Sequence, residues 1–453
     1  MTTDIGLSQD PDRAEDLGPT LAAANQRAEA ERAARERTSR IHKCHETFRR
    51  WLGDEYDMDA LNVVLAAAAS QHLDGDPLWL LLISGSGNAK TETVQALAGA
   101  GAMVTSTISS EGALLSATSK RERSSTATGG LLRKLGSGVL VIKDVTSILS
   151  MNREVRGQVL GALREVYDGR WSRNVGTDGG QTLDWAGRIT VVGAVTTSWD
   201  THHSVVASMG DRFVLIRMDS TRGRLEAGRR AIGNTGHEVR MRSELADAVT
   251  GVLANLAEAS AELTDEADLL LSAANLVTLS RTAVERDYRG DVVDCHAPEM
   301  PTRFAKQLAQ VVRGAFAVGI ERAAAVDLAI RCARDSVPPL RLAIIEDIAA
   351  HPDSDTASVR KRIEKPRATV DRELQALHMI GVLKYSEEEI EWRGQPATRW
   401  RYRLADGIDS GSINARKVTT RPYTPEEEGR AERDLTRPAR LPSDTSGTDE
   451  VLL

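Results

Sequence analysis

The sequence predicts an α/β protein: a parallel sheet flanked by helices, then a helical region, then a small C-terminal module of three helices and a hairpin. Three observations predict it. Leu78 to Ile83 is an apolar run that breaks into a Gly/Ser turn, after which Lys90 and Thr91 open a helix. Val139 to Asp144, VLVIKD, is a second apolar run and ends in a carboxylate. Further short apolar runs alternate with helical patterns, the signature of βαβ units whose ligands bind at the carboxyl ends of the strands.

Length and composition bound the rest. At 453 residues the chain is expected to hold two or three domains, and 41% hydrophobic content is ample for their cores. Aromatics are only 4%, so those cores must be built from Leu, Val and Ala. The net charge of −7 does not exclude nucleic-acid binding by one basic module. Cys44, Cys295 and Cys332 are scattered and give no disulfide framework, which suits a reducing compartment. No secretory signal opens the chain and no apolar stretch is long enough to span a membrane, so the expected location is cytoplasmic.

Residues 1–18 are polar and read as a disordered lead-in, and 19–54 as an exposed, Ala/Glu/Arg-rich helix. His42, Cys44 and His45 lie close together, but without a second ligand pair the spacing is no zinc signature. Leu61 to His72 is apolar on one face and leads into the first strand. The stretch Leu78 to Thr93, LWLLLISGSGNAKTET, then gives strand, glycine loop, Lys-Thr and helix, the context of a phosphate-binding P-loop. The backbone N–H groups of such a loop cradle phosphate oxygens; its residues here are Gly85, Gly87, Asn88, Ala89, Lys90 and Thr91. Lys90 would reach the β- and γ-phosphates of ATP, and the Thr91 hydroxyl would help to hold Mg²⁺. Ser84 and Ala89 stand where G-x-x-x-x-G-K-[ST] has its two glycines, so the alternative is an ordinary Gly-rich strand-to-helix turn.

Met103 to Ile108 is a second strand candidate. Lys120 to Ser125, KRERSS, is a charged loop, either solvated or touching a DNA backbone. In VLVIKD, Asp144 sits where P-loop enzymes place the carboxylate that holds Mg²⁺ through water; the alternative is a buried strand ending in a turn Asp. Asn152 to Tyr167 is a helix with Val155, Val159, Leu163 and Val166 on one face. Trp171 to Trp185 reads as a hairpin turning at Thr177-Asp178-Gly179-Gly180. Ile189 to Val195 is a fourth buried strand that ends in Thr196-Thr197, and Arg212-Phe213 lead into a fifth.

In this order the motifs resemble the AAA+ ATPase core over roughly residues 55–335. The hairpin before the fourth strand resembles the pre-sensor hairpin of the branch holding minichromosome-maintenance helicases and magnesium chelatases. The resemblance implies that Lys90 and Thr91 are the Walker A residues, Asp144 the Walker B aspartate and Thr196 (or Thr197) sensor 1. It further implies that Arg212 is the arginine finger reaching a neighbouring subunit in a homo-oligomer, and that Arg303, at the start of a helix after Pro301, is sensor 2. The implied layout is a P-loop core over 55–220 and a helical lid over 221–335. One departure stands out. Active AAA+ enzymes carry a glutamate after the Walker B aspartate, and here Val145 occupies that place, with Glu92 a conceivable substitute.

From Pro338 the pattern changes. Leu340 to Ala350, Thr356 to Glu364 and Arg367 to Ile380 read as helices, with Thr356 a candidate N-cap and Gly381 a stop. Thr398 to Leu404, TRWRYRL, alternates Trp400, Tyr402 and Leu404 against Arg399, Arg401 and Arg403. Residues 336–405 thus resemble a winged helix-turn-helix. In that module the third helix enters the DNA major groove and the wing crosses the backbone. The candidate DNA contacts are Lys365, Arg367, Thr369 and Arg372 at the helix and Arg393, Arg399 and Arg401 on the wing. Glu387, Glu388 and Glu389 oppose DNA, and winged helices also dock proteins. Residues 406–453 read as a disordered tail. The expected function is that of an ATP-binding protein acting on DNA in replication or mobile-element processing. Its alternatives are a nucleotide-gated transcription regulator and a pseudo-ATPase scaffold.

Overall fold

A computed structural model describes residues 17–117, 129–176, 179–202, 212–219, 221, 223–257, 262–392 and 394–414. The Lys120–Ser125 loop, Arg393 and the Thr177-Asp178 half of the hairpin turn lie outside the described residues.

Helix α1 (Leu17–Leu52) opens the fold. Residues 23–32 are exposed as expected, but Ile41, Cys44, His45 and Phe48 are buried, because from Ile41 onward one face turns apolar. Helix α2 (Met58–Ser70) starts where the Asp57 carboxylate accepts the Ala60 N–H at 3.1 Å. It is buried on nearly every side, as its MDALNVVLAAAAS sequence requires of a helix apolar all round.

The central sheet holds β1 (Trp79–Ile83), β2 (Met103–Thr105), β3 (Gly138–Ile142), β6 (Ile189–Val195) and β7 (Val214–Arg217). Their order is β2-β3-β6-β1-β7, and every pairing is parallel. Ile83 aligns with Val195 and with Arg217, so the carboxyl ends of the strands share one edge. β1 and β6 are buried at every position, matching their unbroken apolar runs. Between the strands come α3 (Lys90–Gln95), two short helices, α4 (Glu111–Leu114) and α5 (Leu131–Leu135), and then α6 (Thr146–Leu149) and α7 (Arg153–Tyr167). The expected hairpin forms as β4 (Arg170–Val175) and β5 (Gln181–Ala186), with Trp171 opposite Trp185. Both Trp side chains are buried on the sheet face, where Trp185 Nε1 donates to Gly136 O at 3.0 Å.

The expected lid contains α8 (Arg224–Gly233), α9 (Glu238–Leu253), α10 (Ala267–Ser280), a hairpin of β8 (Val284–Arg286) and β9 (Val292–Cys295), α11 (Thr302–Ala317) and α12 (Arg322–Ser336). The hairpin was not expected. α11 lies close on α2 because Gly314 has no side chain; a Cβ there would stand 2.1 Å from Ala66 O. The end of α12 closes the free edge of β7: Leu215 N donates to Ser336 Oγ at 3.1 Å and Arg217 N to Asp335 Oδ2 at 2.8 Å. Burial pushes the Asp335 carboxyl up to about 6, against the opposing pull of Arg331.

The C-terminal unit consists of α13 (Pro339–Ala350), β10 (Ser354–Asp355), α14 (Thr356–Arg362), α15 (Arg367–Met379), β11 (Leu383–Trp392) and β12 (Gln395–Leu404). Its strand order is β10-β12-β11, the last two forming the wing. Asp355, one residue before the expected Thr356, caps α14 by accepting the Ser358 N–H at 2.8 Å. Gly381 at φ 80° ends the helical run, with Val382 N donating to Leu377 O, as a Schellman-type stop requires. The folded chain runs past residue 406, since Ile413 is fully buried. One hydrophobic core runs from Ile41 through α2, one sheet face and the lid helices to Ile413, so the C-terminal unit is packed onto the body. Among the described residues no helix is long and apolar enough to cross a membrane.

Candidate nucleotide cleft and nucleic-acid surface

The loop after β1 is built by its own side chains. Ser84 continues the strand, its N–H donating to Val195 O at 3.3 Å. Asn88 Nδ2 donates to Ser84 Oγ at 2.7 Å and to Asp219 O at 3.1 Å, closing the loop on itself. Gly87 takes φ 80° and Ala89 φ 53°. Ala89 therefore holds the left-handed conformation a glycine would supply at this place, whereas Ser84 has no positive φ and needs no glycine. The two departures from the motif are thus physically different.

Lys90 opens α3 and is buried. Its Nζ donates to Ser84 O at 2.9 Å and Gly85 O at 2.5 Å. Burial lowers its pKa, and the negative charge of Asp144 opposes the shift. An ammonium held by loop carbonyls, beside a carboxylate, is placed to exchange those carbonyls for phosphate oxygens. Thr91 is exposed beside it. Lys90, Thr91, Glu92 and Asn88 line a cleft of about 470 Å³ together with Met218, Ala227 and Met241 among others.

Asp144 follows β3 and is exposed, its Oδ1 accepting the Thr146 N–H at 2.9 Å. Thr146 Oγ1 accepts the Thr196 N–H at 3.2 Å, and Thr196 Oγ1 lies 2.7 Å from Ser198 Oγ. The strand carrying Thr196 thus lies between those carrying Lys90 and Asp144, and a row of hydroxyls lines that edge. Sequence reasoning missed Thr146 and Ser198; their signal is hydroxyl residues two beyond Asp144 and two beyond Thr196.

Val145, in the place of the absent glutamate, is buried in the core. Its N–H donates to Ala194 O at 2.9 Å, and its Cγ2 would stand 2.8 Å from a Cβ on Gly193. Glu92 is also committed, receiving Arg242 Nε at 3.0 Å and Nη2 at 2.9 Å from α9. Neither position offers a carboxylate to activate water.

Arg212 and Arg303 lie at the opposite edge of the sheet. Leu80 aligns with Val214, so Arg212 sits level with Leu78, about 20 Å from Ser84 at the usual rise of a strand. Its guanidinium lies 5.4 Å from the Tyr167 ring centre and 3.4 Å from Asp168 Oδ2. Burial, and then the like charge of Arg303, lower its pKa. Tyr167, Asp168 and Arg303 line one cavity of about 700 Å³ there, where Arg303 Nη1 donates to Glu299 Oε1 at 2.8 Å. The structure therefore groups Lys90, Thr91, Asp144 and Thr196 at one edge and Arg212 with Arg303 at the other.

On the C-terminal unit Lys365, Arg367 and Thr369 are exposed at the start of α15. Arg372 is instead bound to the β8–β9 hairpin, with Nε donating to Asp291 Oδ1 at 3.1 Å and Nη2 to Arg289 O. On the wing, Arg401 meets Glu388 at 2.8 Å, and Arg399 meets Asp355 at 3.4 Å and Glu388 at 3.8 Å.

The architecture defines a class. It is a generic P-loop-type α/β core, a parallel sheet flanked by helices, joined to a C-terminal unit of winged-helix form. No protein-family model matches the chain, and no curated protein matches it.

Proposed function

We propose that the chain is an AAA+-like protein of the pre-sensor-hairpin type that binds ATP with Mg²⁺ at the Ser84–Thr91 loop and acts on DNA through its C-terminal unit. Replication or mobile-element DNA processing is the setting that this combination supports best. The observation that carries the reading is Lys90, a buried ammonium that donates to two loop carbonyls, with Asp144 and Thr196 aligned along the same sheet edge. Among the described residues no three His, Cys, Asp or Glu side chains group to hold a metal unaided. The Thr91 hydroxyl and, through water, the Asp144 carboxylate would be the residues that hold Mg²⁺. The ion would neutralise phosphate charge there. The apolar side chains of Met218, Ala227 and Met241 suit the base.

Arg212 and Arg303 are too far from their own loop to meet its phosphates, and a neighbouring subunit's γ-phosphate is their natural target in a homo-oligomer. Buried Val145 and committed Glu92 favour a nucleotide-gated switch over a motor. The regulator reading, with binding and little turnover, is the second one to keep.

The test is thermal unfolding and steady-state hydrolysis with Mg·ATP, with and without duplex DNA, beside Lys90→Ala. At nucleotide a hundredfold above Kd the wild type should gain about 2.7 kcal/mol and the variant nothing. Wild type left unshifted by millimolar Mg·ATP would overturn the reading. Rapid DNA-stimulated turnover, lost in the variant, would restore the motor.

A further inference from the structure

The C-terminal unit offers DNA three surfaces, and their charges are disposed differently. The wing carries Arg399 and Arg401, but Glu388 stands directly opposite Arg399 in the register and pairs with both, while Asp355 takes Arg399 from the other side. Glu387, Glu389 and Glu391 extend the acidic edge along β11. The middle of α15 is covered: Arg372 lies across Gly290 of the β8–β9 hairpin, Glu373 is gripped by Arg286 at 2.6 Å and Arg341 at 3.0 Å, and Ala376 is fully buried.

The third surface is the corner between α14 and α15. Arg360, Lys361, Lys365 and Arg367 are all exposed there, and no ion pair engages any of them among the described residues. Arg362, the fifth cation of the stretch, points inward to Asp347 at 2.7 Å. Glu364 at φ 55° and the Lys365 N–H donating to Arg360 O at 3.1 Å fold the corner tightly, so the four cations of the two helix ends lie within residues 360–367. The first-turn N–H groups of α15, for which Pro366 provides no side-chain cap, lie at the same corner.

We propose that this corner, and not the wing, is the contact with the phosphate backbone of duplex DNA, with Arg360 and Lys361 as contact residues beside Lys365 and Arg367. The proposal rests on the DNA reading above. Unpaired cations release counterions when they meet phosphates, whereas arginines already neutralised by carboxylates gain little.

The experiment is fluorescence anisotropy of a labelled random-sequence duplex with the full chain between 50 and 200 mM salt. Four neutralised phosphates predict a log–log slope of about −3.6, an affinity loss of about 150-fold over that range. Arg360→Ala/Lys361→Ala should halve the slope to about −1.8, and Arg399→Ala/Arg401→Ala should leave it unchanged. These side chains are solvent-exposed or wing-borne, so unchanged thermal unfolding verifies the fold of each variant. A wing variant that lowers the slope as much as the corner variant overturns the corner and leaves the DNA reading standing. Wild type without salt-dependent binding overturns the DNA reading itself.

Discussion

Ala89 holds the left-handed turn of the loop, and replacing it with glycine tests the geometry directly. At φ 53° and ψ 9° its Cβ crowds the following carbonyl, which costs an L-residue about 1–2 kcal/mol. Glycine removes that cost but loses more backbone freedom on folding, about 0.5–1 kcal/mol. The difference leaves Ala89→Gly more stable by about 0.5–1 kcal/mol, read as a rise of about 0.6–1.2 °C in the unfolding midpoint of a body this large. Ser84→Gly should move the other way. It deletes the hydroxyl that accepts Asn88 Nδ2 at 2.7 Å and loosens a residue with no positive φ, for a loss of about 1–2 kcal/mol. Differential scanning fluorimetry of both variants without nucleotide is sufficient. Two shifts of the same sign would refute the conformations assigned to the loop.

Two other perturbations follow from buried groups. Val145→Glu would restore the missing acid in sequence while placing a carboxylate in the core beneath Gly193, so it should lose at least about 3 kcal/mol in urea unfolding and gain no hydrolysis. A stable, hydrolysing variant would show that this side chain can reach the cleft. Burial pushes the His45 imidazole down to about 4, against the hydrogen bond to Asn62 at 2.6 Å. The unfolded chain then binds the proton more tightly than the folded one. The stability His45 permits is present above pH 6.5 and is lost as pH falls toward 4, about 2 kcal/mol between pH 7 and 5. His45→Gln should flatten that part of the urea-midpoint profile, and an unflattened one would assign the acid limb to other groups.

The sheet was legible because its strands are short apolar runs bounded by Gly, Asp or Thr, a pattern that little else in a soluble chain produces. The C-terminal unit was legible from the strict alternation of TRWRYRL and the stop at Gly381. What stayed hidden depends on contacts distant in sequence. Cys44 and His45 gave no zinc signature in sequence, and nothing local showed that both are core residues, the Cys44 thiol pushed up to about 12 by burial. Arg331 gathers Asp57, Asp59 and Asp335 into one ion cluster between α2 and the edge of β7, and nothing local marks it. The β8–β9 hairpin has strands of three and four residues, too short for periodicity to reveal. In the candidate site the residue types were readable, but their occupancy was not. Arg372, Arg399 and Arg401 read as free cations in sequence, and only the fold shows the carboxylates that meet them.

Those same contacts bear on how a nucleotide bound as proposed would be felt at the proposed DNA corner. Arg242 of α9 is bound to Glu92 on α3, immediately behind the loop lysine. Arg341 of α13 donates to Ser280 O and Thr282 O, both at 2.8 Å, at the end of α10, and also holds Glu373 on α15. Among the described residues one continuous core joins the body that carries the cleft to the unit that carries the corner. The pair at Glu92 is partly exposed, so it is worth about 0.2–1 kcal/mol. That bounds what it can contribute to coupling, a factor of about 1.4–5 in affinity. Arg242→Ala should leave Mg·ATP binding at the loop nearly intact while reducing the difference between DNA affinities measured with and without nucleotide by up to that factor. Anisotropy titrations in both states read it directly. A difference unchanged in Arg242→Ala would mean that the nucleotide acts through the sheet edge at Asp144 and Thr196, not through the lid.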